Sequence, residues 1–365
     1  MRRALELAES VVGATSPNPP VGAVVVAPDG TVRGEGATQP PGGSHAEAMA
    51  LQQAGDRARG GTLYVTLEPC NHWGRTPPCA EAVLATGIAR VVYAVADPDP
   101  IARGGAGRLR ASGIAVERGD GAVAARRVLA GFLKHRRTGT PWVIAKFAAS
   151  LDGRIAAVSG DSRWVSGPET LVWAHHERTR IDAILVGSET VVVDDPELTA
   201  RPGGVPAERQ PLRVVLDARG RVPAAARVLA PGASTLVLTT ACAPAGWRDA
   251  LQARGAEIVD LPADTDGHVS LPAALKLLGE RGVLRLLVEG GGEVLGSFFD
   301  ARLVDEVTVI VAPIIIGGAA QTAVRGRGAW RMADVVRLRD VRVRRLGRDL
   351  LVRGRPRYPE GAGGE

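Results

Sequence analysis

The sequence predicts two α/β domains in succession, and three observations carry that expectation. At 365 residues the chain exceeds what one hydrophobic core usually serves. Short apolar runs alternate with helically spaced apolar positions along most of its length, as in strands and helices layered on a sheet. Midway, Arg136-Arg137-Thr138-Gly139-Thr140-Pro141 breaks the alternation with charge and turn residues. A first domain is therefore expected over residues 1–138 and a second over 139–357, with a disordered tail over 358–365.

In the first domain Ala4, Leu7, Ala8 and Val11 recur at helical spacing within residues 3–13. Thr15-Ser16-Pro17-Asn18-Pro19-Pro20 is a stiff loop. Val21 to Val26 reads as a buried strand, Asp29-Gly30 turns the chain, and Thr31 to Gly36 returns. His45 opens a helix through Leu51 behind the breaker Pro40-Pro41-Gly42-Gly43, with Ser44 as its cap. Thr62 to Leu67 is a strand, Cys79 begins a helix, and Arg90 to Ala96 is a strand ending in the turn Asp97-Pro98-Asp99-Pro100. A short strand over 114–118 and a helix over 121–135 complete the domain. In the second, strands are expected from Trp142 and over 182–187, 213–217, 235–239, 256–260, 284–289 and 306–312. Helices are expected near 168–180, 246–254, 271–280 and 292–299, and residues 335–353 read as a terminal hairpin.

Composition narrows the function classes. An apolar content of 45% and a charged content of 23% are ordinary for a globular protein. No run of 18 apolar residues exists, and Met1 to Leu7 lacks an apolar signal core, so neither membrane insertion nor export is expected. The cysteines are Cys70, Cys79 and Cys242, too few for a disulfide framework, which suits a reducing cytoplasm. Net charge is +6, and all but three of the 45 basic residues are Arg. No basic block interleaved with aromatics accompanies that charge, so compositional bias explains it better than a nucleic-acid surface.

The most informative stretch is Pro69-Cys70-Asn71-His72-Trp73-Gly74-Arg75-Thr76-Pro77-Pro78-Cys79, with His45-Ala46-Glu47 upstream. One His and two Cys suit a Zn²⁺ that keeps its fourth position for water, whereas a structural zinc site usually has four protein ligands. Glu47 stands where a carboxylate can shuttle protons to and from that water. This is the H-x-E…P-C…C layout of zinc-dependent base deaminases, with eight residues between the cysteines in place of two. A second candidate site is Leu287-Val288-Glu289-Gly290-Gly291-Gly292-Glu293-Val294-Leu295-Gly296-Ser297, read as strand, glycine turn and helix. Such a turn lets backbone approach a phosphate at a helix N-terminus, although it also serves as a plain tight connection. Its glycines do not follow the G-x-G-x-x-G order, so a Rossmann domain is disfavoured.

Pro17-Asn18-Pro19-Pro20-Val21-Gly22-Ala23-Val24-Val25, His45-Ala46-Glu47 and the Cys70–Cys79 stretch together resemble the bifunctional riboflavin biosynthesis deaminase/reductase family. The likeness continues through Lys146-Phe147-Ala148-Ala149-Ser150-Leu151-Asp152-Gly153-Arg154, Asp161-Ser162-Arg163-Trp164, Val186-Gly187-Ser188-Glu189-Thr190 and Asp194 to Arg201. It implies a cytidine deaminase-like three-layer α/β/α domain followed by a dihydrofolate reductase-like α/β domain. It also implies deamination of 2,5-diamino-6-ribosylamino-4(3H)-pyrimidinone 5′-phosphate, then NADPH-dependent reduction of the ribosyl group to ribityl.

By that resemblance His45, Cys70 and Cys79 bind zinc, Glu47 is the proton donor, and Asn18, His72 and Arg75 face the substrate. Ala148, Ile155, Trp164, Thr190, Asp194, Ala218 and the run Gly291, Gly292, Glu293, Val294, Leu295, Gly296 and Ser297 contact the nucleotide. Ser162, Arg178, Leu198, Arg201 and Glu289 contact the sugar phosphate, for which hydroxyl and guanidinium donors are chemically suited. Lys146 is a candidate catalytic group of the reductase, against the plainer role of a strand-end lysine with its head in water. Asn18 could equally be a loop residue between prolines. The sequence departs from the family pattern at Asn71, Trp73, Asp99 and Ile155.

The expected partners are a small pyrimidine ribosyl phosphate and further copies of the chain, with no nucleic acid and no membrane. The competing reading is a nucleic-acid-editing zinc deaminase whose C-terminal half binds RNA. The ordered strand–glycine–helix segment and the scattered Arg do not resemble an RNA-binding module.

Overall fold

The computed structural model describes residues 1–74, 77–162 and 164–359. The chain divides into two compact units: Met1–Pro141 with Gly279–Leu284, and Trp142–Leu278 with the chain from Arg285 onward.

The first unit runs α1 (Arg2–Ser10), β1 (Gly22–Val26), β2 (Val32–Ala37), α2 (Ala46–Ala54), β3 (Thr62–Leu67), α3 (Cys79–Ala85), β4 (Arg90–Val95), α4 (Gly105–Ala111), β5 (Ala115–Arg118), α5 (Ala122–Val128) and α6 (Ala130–Thr138). Its five strands lie in the order β2-β1-β3-β4-β5. The β1–β2 hairpin and the β1–β3 pair are antiparallel, while β3, β4 and β5 run parallel. Helices α1 and α5 pack together on one face, and α2, α3 and α4 cover the other, giving three layers. Close approach of helix to sheet requires glycine. A Cβ on Gly34 would lie 1.9 Å from the Ala50 carbonyl oxygen, and one on Gly36 would lie 2.1 Å from that of Ala46. Val25, Leu63, Val65, Val91 and Leu109 form part of the buried core. Burial of such side chains contributes roughly 1.5–3 kcal/mol each.

The expected helix over 121–135 is two helices, α5 and α6, meeting at Leu129. The expected cap is also different. His45, in extended conformation at φ −73° and ψ 158°, occupies the N-cap of α2, not Ser44. Sequence pattern does not mark helix α4, whose first turn contains two glycines.

The second unit runs β6 (Trp142–Ser150), α7 (Pro168–Arg178), β7 (Ala183–Gly187), α8 (Ser188–Asp194), β8 (Leu212–Leu216), β9 (Thr235–Thr239), α9 (Ala245–Gln252), β10 (Glu257–Asp260), α10 (Leu271–Glu280), β11 (Arg285–Val288), α11 (Gly292–Asp300), β12 (Glu306–Ala312), β13 (Arg337–Leu346) and β14 (Asp349–Arg357). The sheet order is β10-β9-β8-β7-β11-β6-β12-β14-β13. Neighbours run parallel from β10 through β12, and β12–β14 and β14–β13 are antiparallel. Strands β7 and β9 are buried at every position, as expected for interior strands of a parallel sheet covered on both faces. Tyr358, in the expected tail, is anchored: its hydroxyl donates to the Val304 carbonyl at 3.3 Å and accepts the Val304 N–H at 3.2 Å.

Candidate active sites

Three side chains converge in the first unit from three connections. His45 projects from the start of α2, Cys70 follows the end of β3, and Cys79 is the first residue of α3. Nδ1 of His45 is 3.2 Å from Sγ of Cys79 and 3.7 Å from Sγ of Cys70. The backbone N–H of Cys79 donates to Sγ of Cys70 at 3.3 Å. The candidate ligand atoms of all three residues lie within 4.8 Å of one another, and both thiols are buried. One imidazole nitrogen and two sulfurs fit Zn²⁺, and no fourth ligand joins this cluster among the described residues.

The electrostatics match a metal-binding set. A contact from Cys79 holds the Cys70 thiol well below its ordinary range, burial opposes this, and His45 reinforces it. The same contact, together with burial, pushes the Cys79 thiol up. Burial drives the Glu47 carboxyl up to about 7, with the Cys70 charge adding to the effect. Glu47 is 4% exposed, in the first turn of α2 and two residues after His45.

These groups open on a cavity of about 400 Å³ whose wall includes Asn18, Glu47, Cys70 and His72. Asn18 is held there by Thr15, whose carbonyl accepts its N–H at 2.8 Å and whose hydroxyl donates to its carbonyl at 3.0 Å. Nδ1 of His72 is buried with no hydrogen-bond partner among the described residues. Arg75 lies outside the described residues. Sequence reasoning missed Glu68, Asp97, Asp99, Phe132 and Arg136, which also line the cavity. Their signal was positional: Glu68, Asp97 and Asp99 follow the C-terminal ends of the parallel strands β3 and β4, where α/β sheets gather ligand contacts. Burial pushes the Asp97 carboxyl up to about 6.

In the second unit Glu289, just after β11, is central. Nη2 of Arg178 donates to its Oε2 at 2.6 Å, and Nζ of Lys146 stands 3.9 Å from its Oε1. The Lys146 side chain is only 18% exposed, so its head is not simply in water. Arg178 also donates to the Thr199 carbonyl at 3.1 Å, and its buried Nε has no partner among the described residues. Arg201 reaches the Thr199 hydroxyl at 2.8 Å and pairs with Glu197. The backbone N–H of Arg201 donates to Nδ1 of His175 at 3.1 Å.

The glycine run caps α11. Gly291 is the N-cap, and its N–H donates to the Thr190 hydroxyl at 3.1 Å. A Cβ on Gly291 would lie 3.4 Å from that hydroxyl, about an ordinary van der Waals contact. The neighbouring glycines serve packing as well. A Cβ on Gly292 would sit 2.8 Å from the Thr322 carbonyl oxygen, and one on Gly296 would sit 1.9 Å from that of Arg325.

Of the remaining residues in this stretch, Glu293 and Ser297 are exposed, Val294 packs beneath Gly290 and Gly187, and Leu295 is buried. Ser162 donates to Asp194 at 3.4 Å. Asp194 ends α8, and Asp195 follows in the left-handed region at φ 42°, so Asp194-Asp195 is also a turn. Leu198 is buried at φ 53°, Trp164 is 68% exposed, and the Ile155 N–H donates to the Gln321 carbonyl at 2.9 Å. The Ala218 carbonyl accepts the Thr240 hydroxyl at 2.7 Å, and Ala148 lies in β6 opposite Ile310.

Fold and sites together define a protein of two α/β units, the first carrying a buried His-Cys-Cys set that fits zinc. The family described as the cytidine and deoxycytidylate deaminase zinc-binding region matches residues 1–95, and the RibD C-terminal domain family matches residues 141–352. The riboflavin biosynthesis protein RibD of Bacillus amyloliquefaciens is 42% identical, the match covering 98% of this chain and 95% of that one. RibD of Escherichia coli is 38% identical, with 96% of each chain covered. The solved structure of Acinetobacter baumannii RibD, form 1, matches with a TM-score of 0.88 at 36% identity over 98% of both chains. A diaminohydroxyphosphoribosylaminopyrimidine deaminase/5-amino-6-(5-phosphoribosylamino)uracil reductase from Thermotoga maritima matches with a TM-score of 0.85 at 34% identity, covering 98% of this chain and 97% of that one. The chain belongs to the RibD family of bifunctional deaminase/reductases of riboflavin biosynthesis.

Proposed function

We propose that the first unit removes the 2-amino group of 2,5-diamino-6-ribosylamino-4(3H)-pyrimidinone 5′-phosphate by hydrolysis. The second unit then reduces the ribosyl group of that product with NADPH, giving 5-amino-6-ribitylaminouracil 5′-phosphate. The observation that carries the reading is the clustering of His45, Cys70 and Cys79, with His45 and Cys70 lining a cavity that Glu47 also lines. When bound by these three residues, Zn²⁺ supplies the Lewis acidity that makes water a nucleophile near neutral pH. Glu47, buried at the cavity wall, accepts a proton from the nucleophile and returns it to the departing amine. Asn18, its backbone fixed by Thr15, reads the pyrimidine edge, His72 contacts the substrate from the cavity wall, and the family likeness gives Arg75 a substrate-binding role.

In the second unit the helix start at Gly291 suits the pyrophosphate of a dinucleotide, and NADPH supplies a hydride when bound there. Ser162, Arg178 and Arg201 hold the sugar phosphate through hydroxyl and guanidinium donors. Glu289 orients Lys146, which serves as proton source beside the reacting carbon. The enzyme works on small molecules in the cytoplasm as a homo-oligomer, and no described helix is long and apolar enough to cross a membrane.

The purified protein, supplied with the pyrimidinone phosphate, should release ammonia and only then consume NADPH. NADPH oxidation with no prior ammonia release, or an equal rate with NADH, would contradict this assignment.

A further inference from the structure

The deaminase cavity is rich in carboxylates: Glu47, Glu68, Asp97 and Asp99 all line it. Glu68 is occupied by backbone, accepting N–H groups from Asp97 at 3.2 Å, Gly104 at 3.2 Å and Ala106 at 3.0 Å. Asp99 is fixed as well. Its N–H donates to Oδ1 of Asp97 at 2.9 Å, and its own Oδ1 accepts the Ile101 N–H at 3.0 Å. Its Oδ2 meets Nε of Arg136 at 3.3 Å, with the Asp99 side chain 16% exposed and that of Arg136 34% exposed. Arg136 comes from the last turn of α6, and its guanidinium lies 5.2 Å from the ring centroid of Phe132, one turn earlier on the same helix. Both Arg136 and Phe132 belong to the cavity wall.

Two contacts thus hold this guanidinium in one place. The contact to Asp99 is made through Nε, and the terminal nitrogens carry four further N–H donors in the same plane. An ion pair serving stability alone has no need to line a substrate cavity, and partly exposed pairs contribute little to stability. A fork of donors held at the wall of an acid-rich cavity is suited to a phosphoryl group.

We infer that Arg136 is a specificity-determining residue of the deaminase: it cancels the charge of Asp99 and presents its terminal N–H groups to the anionic phosphoryl group of the substrate. The inference rests on the deaminase reading above and names the part of the substrate that this residue recognises.

The test uses the full-length zinc-loaded enzyme and compares the pyrimidinone ribosyl phosphate with its phosphate-free nucleoside. Arg136→Met should raise KM for the phosphorylated substrate about tenfold or more, with the loss in KM rather than kcat, and should leave the nucleoside far less affected. Asp99→Asn placed on Arg136→Met should recover part of the loss, because it removes the exposed negative charge. Equal changes for the two substrates, or an unchanged preference for phosphate, would overturn the inference. If Arg136→Met loses its zinc, Arg136→Lys decides, because it keeps the charge but not the planar fork. A reduced phosphate preference in that variant supports the inference, and an unchanged preference overturns it. A wild-type enzyme that fails to deaminate the phosphorylated pyrimidine removes the underlying reading and the inference together.

Discussion

Nδ1 of His45 stands 3.2 Å from Sγ of Cys79, although the two residues are 34 positions apart in the chain. The cap position of one helix and the first residue of another are brought face to face, and Glu47 follows the His on the same helix without joining the ligand set. Metal binding and proton transfer are therefore separable by substitution. Glu47→Gln should keep its zinc while ammonia release falls about 10²–10⁴-fold. Cys79→Ser should lose the zinc itself. Metal analysis beside the ammonia assay checks both, and a Glu47→Gln protein without zinc would contradict the separation.

Glu289 gives a pH prediction. Burial pushes its carboxyl up, but the charges of Arg178 and Lys146 outweigh burial and hold it at about 2, below its ordinary value of 4.5. The folded state therefore favours the ionised form. That stability is present above pH 4.5 and is lost as pH falls toward about 2. At neutral pH, Glu289→Gln should cost about 2–3 kcal/mol, because it leaves Arg178 without its charged partner. Denaturant melts across this range should show the gap to wild type closing in acid, and a gap independent of pH would show that the ion pair is not its source.

Gly296→Ala tests the packing of α11. The added methyl would meet the Arg325 carbonyl oxygen at 1.9 Å and its carbon at 2.3 Å, both backbone atoms that cannot rotate away. A destabilisation of about 1–3 kcal/mol is expected, read as a lower melting temperature. NADPH oxidation should weaken while ammonia release persists. Loss of both activities in parallel would show that the damage is not confined to the reductase unit.

Asp152 should act as a loop clamp. Its carboxylate accepts the Ser150 hydroxyl at 2.6 Å and the N–H groups of Ile316 at 3.1 Å and Gly317 at 2.7 Å. These contacts hold the carboxyl at about 2, the Ser150 bond first among them. Asp152→Ala should speed amide hydrogen exchange at Ile316 and Gly317 without changing exchange in β9. Unaltered exchange at those two amides would remove the clamp from the account.

What was legible in the sequence was local. The strand from Thr62 to Leu67 and the helix start at Cys79 fall where apolar pattern and breakers placed them. The antiparallel ending of the second sheet was likewise visible as a hairpin pattern. Helix α8 was not, because Val191, Val192 and Val193 carry the β-branched signature of a strand while only seven residues form the helix. Leu129 gave no mark of the break between α5 and α6, since no glycine or proline stands there. In the site, His45, Glu47, Cys70 and Cys79 were readable because their chemistry and spacing point to one ion. Asp97 looked like a turn residue and Arg136 like part of a polar linker. Their place in the cavity depends on how the loop after β4 and the end of α6 meet, which no short window of sequence records.

Gly34 and Gly36 lie on β2, far along the chain from either cysteine, and neither offers any chemistry. Yet the carbonyl oxygens of Ala50 and Ala46 rest where their side chains would be. A single methyl on either would lift the first turns of α2 off the sheet and carry the imidazole with them. The position of His45 relative to the two cysteines thus depends on a bare hydrogen at each of two places on a neighbouring strand, and drift at these silent positions is expected to be felt first as weakened zinc affinity.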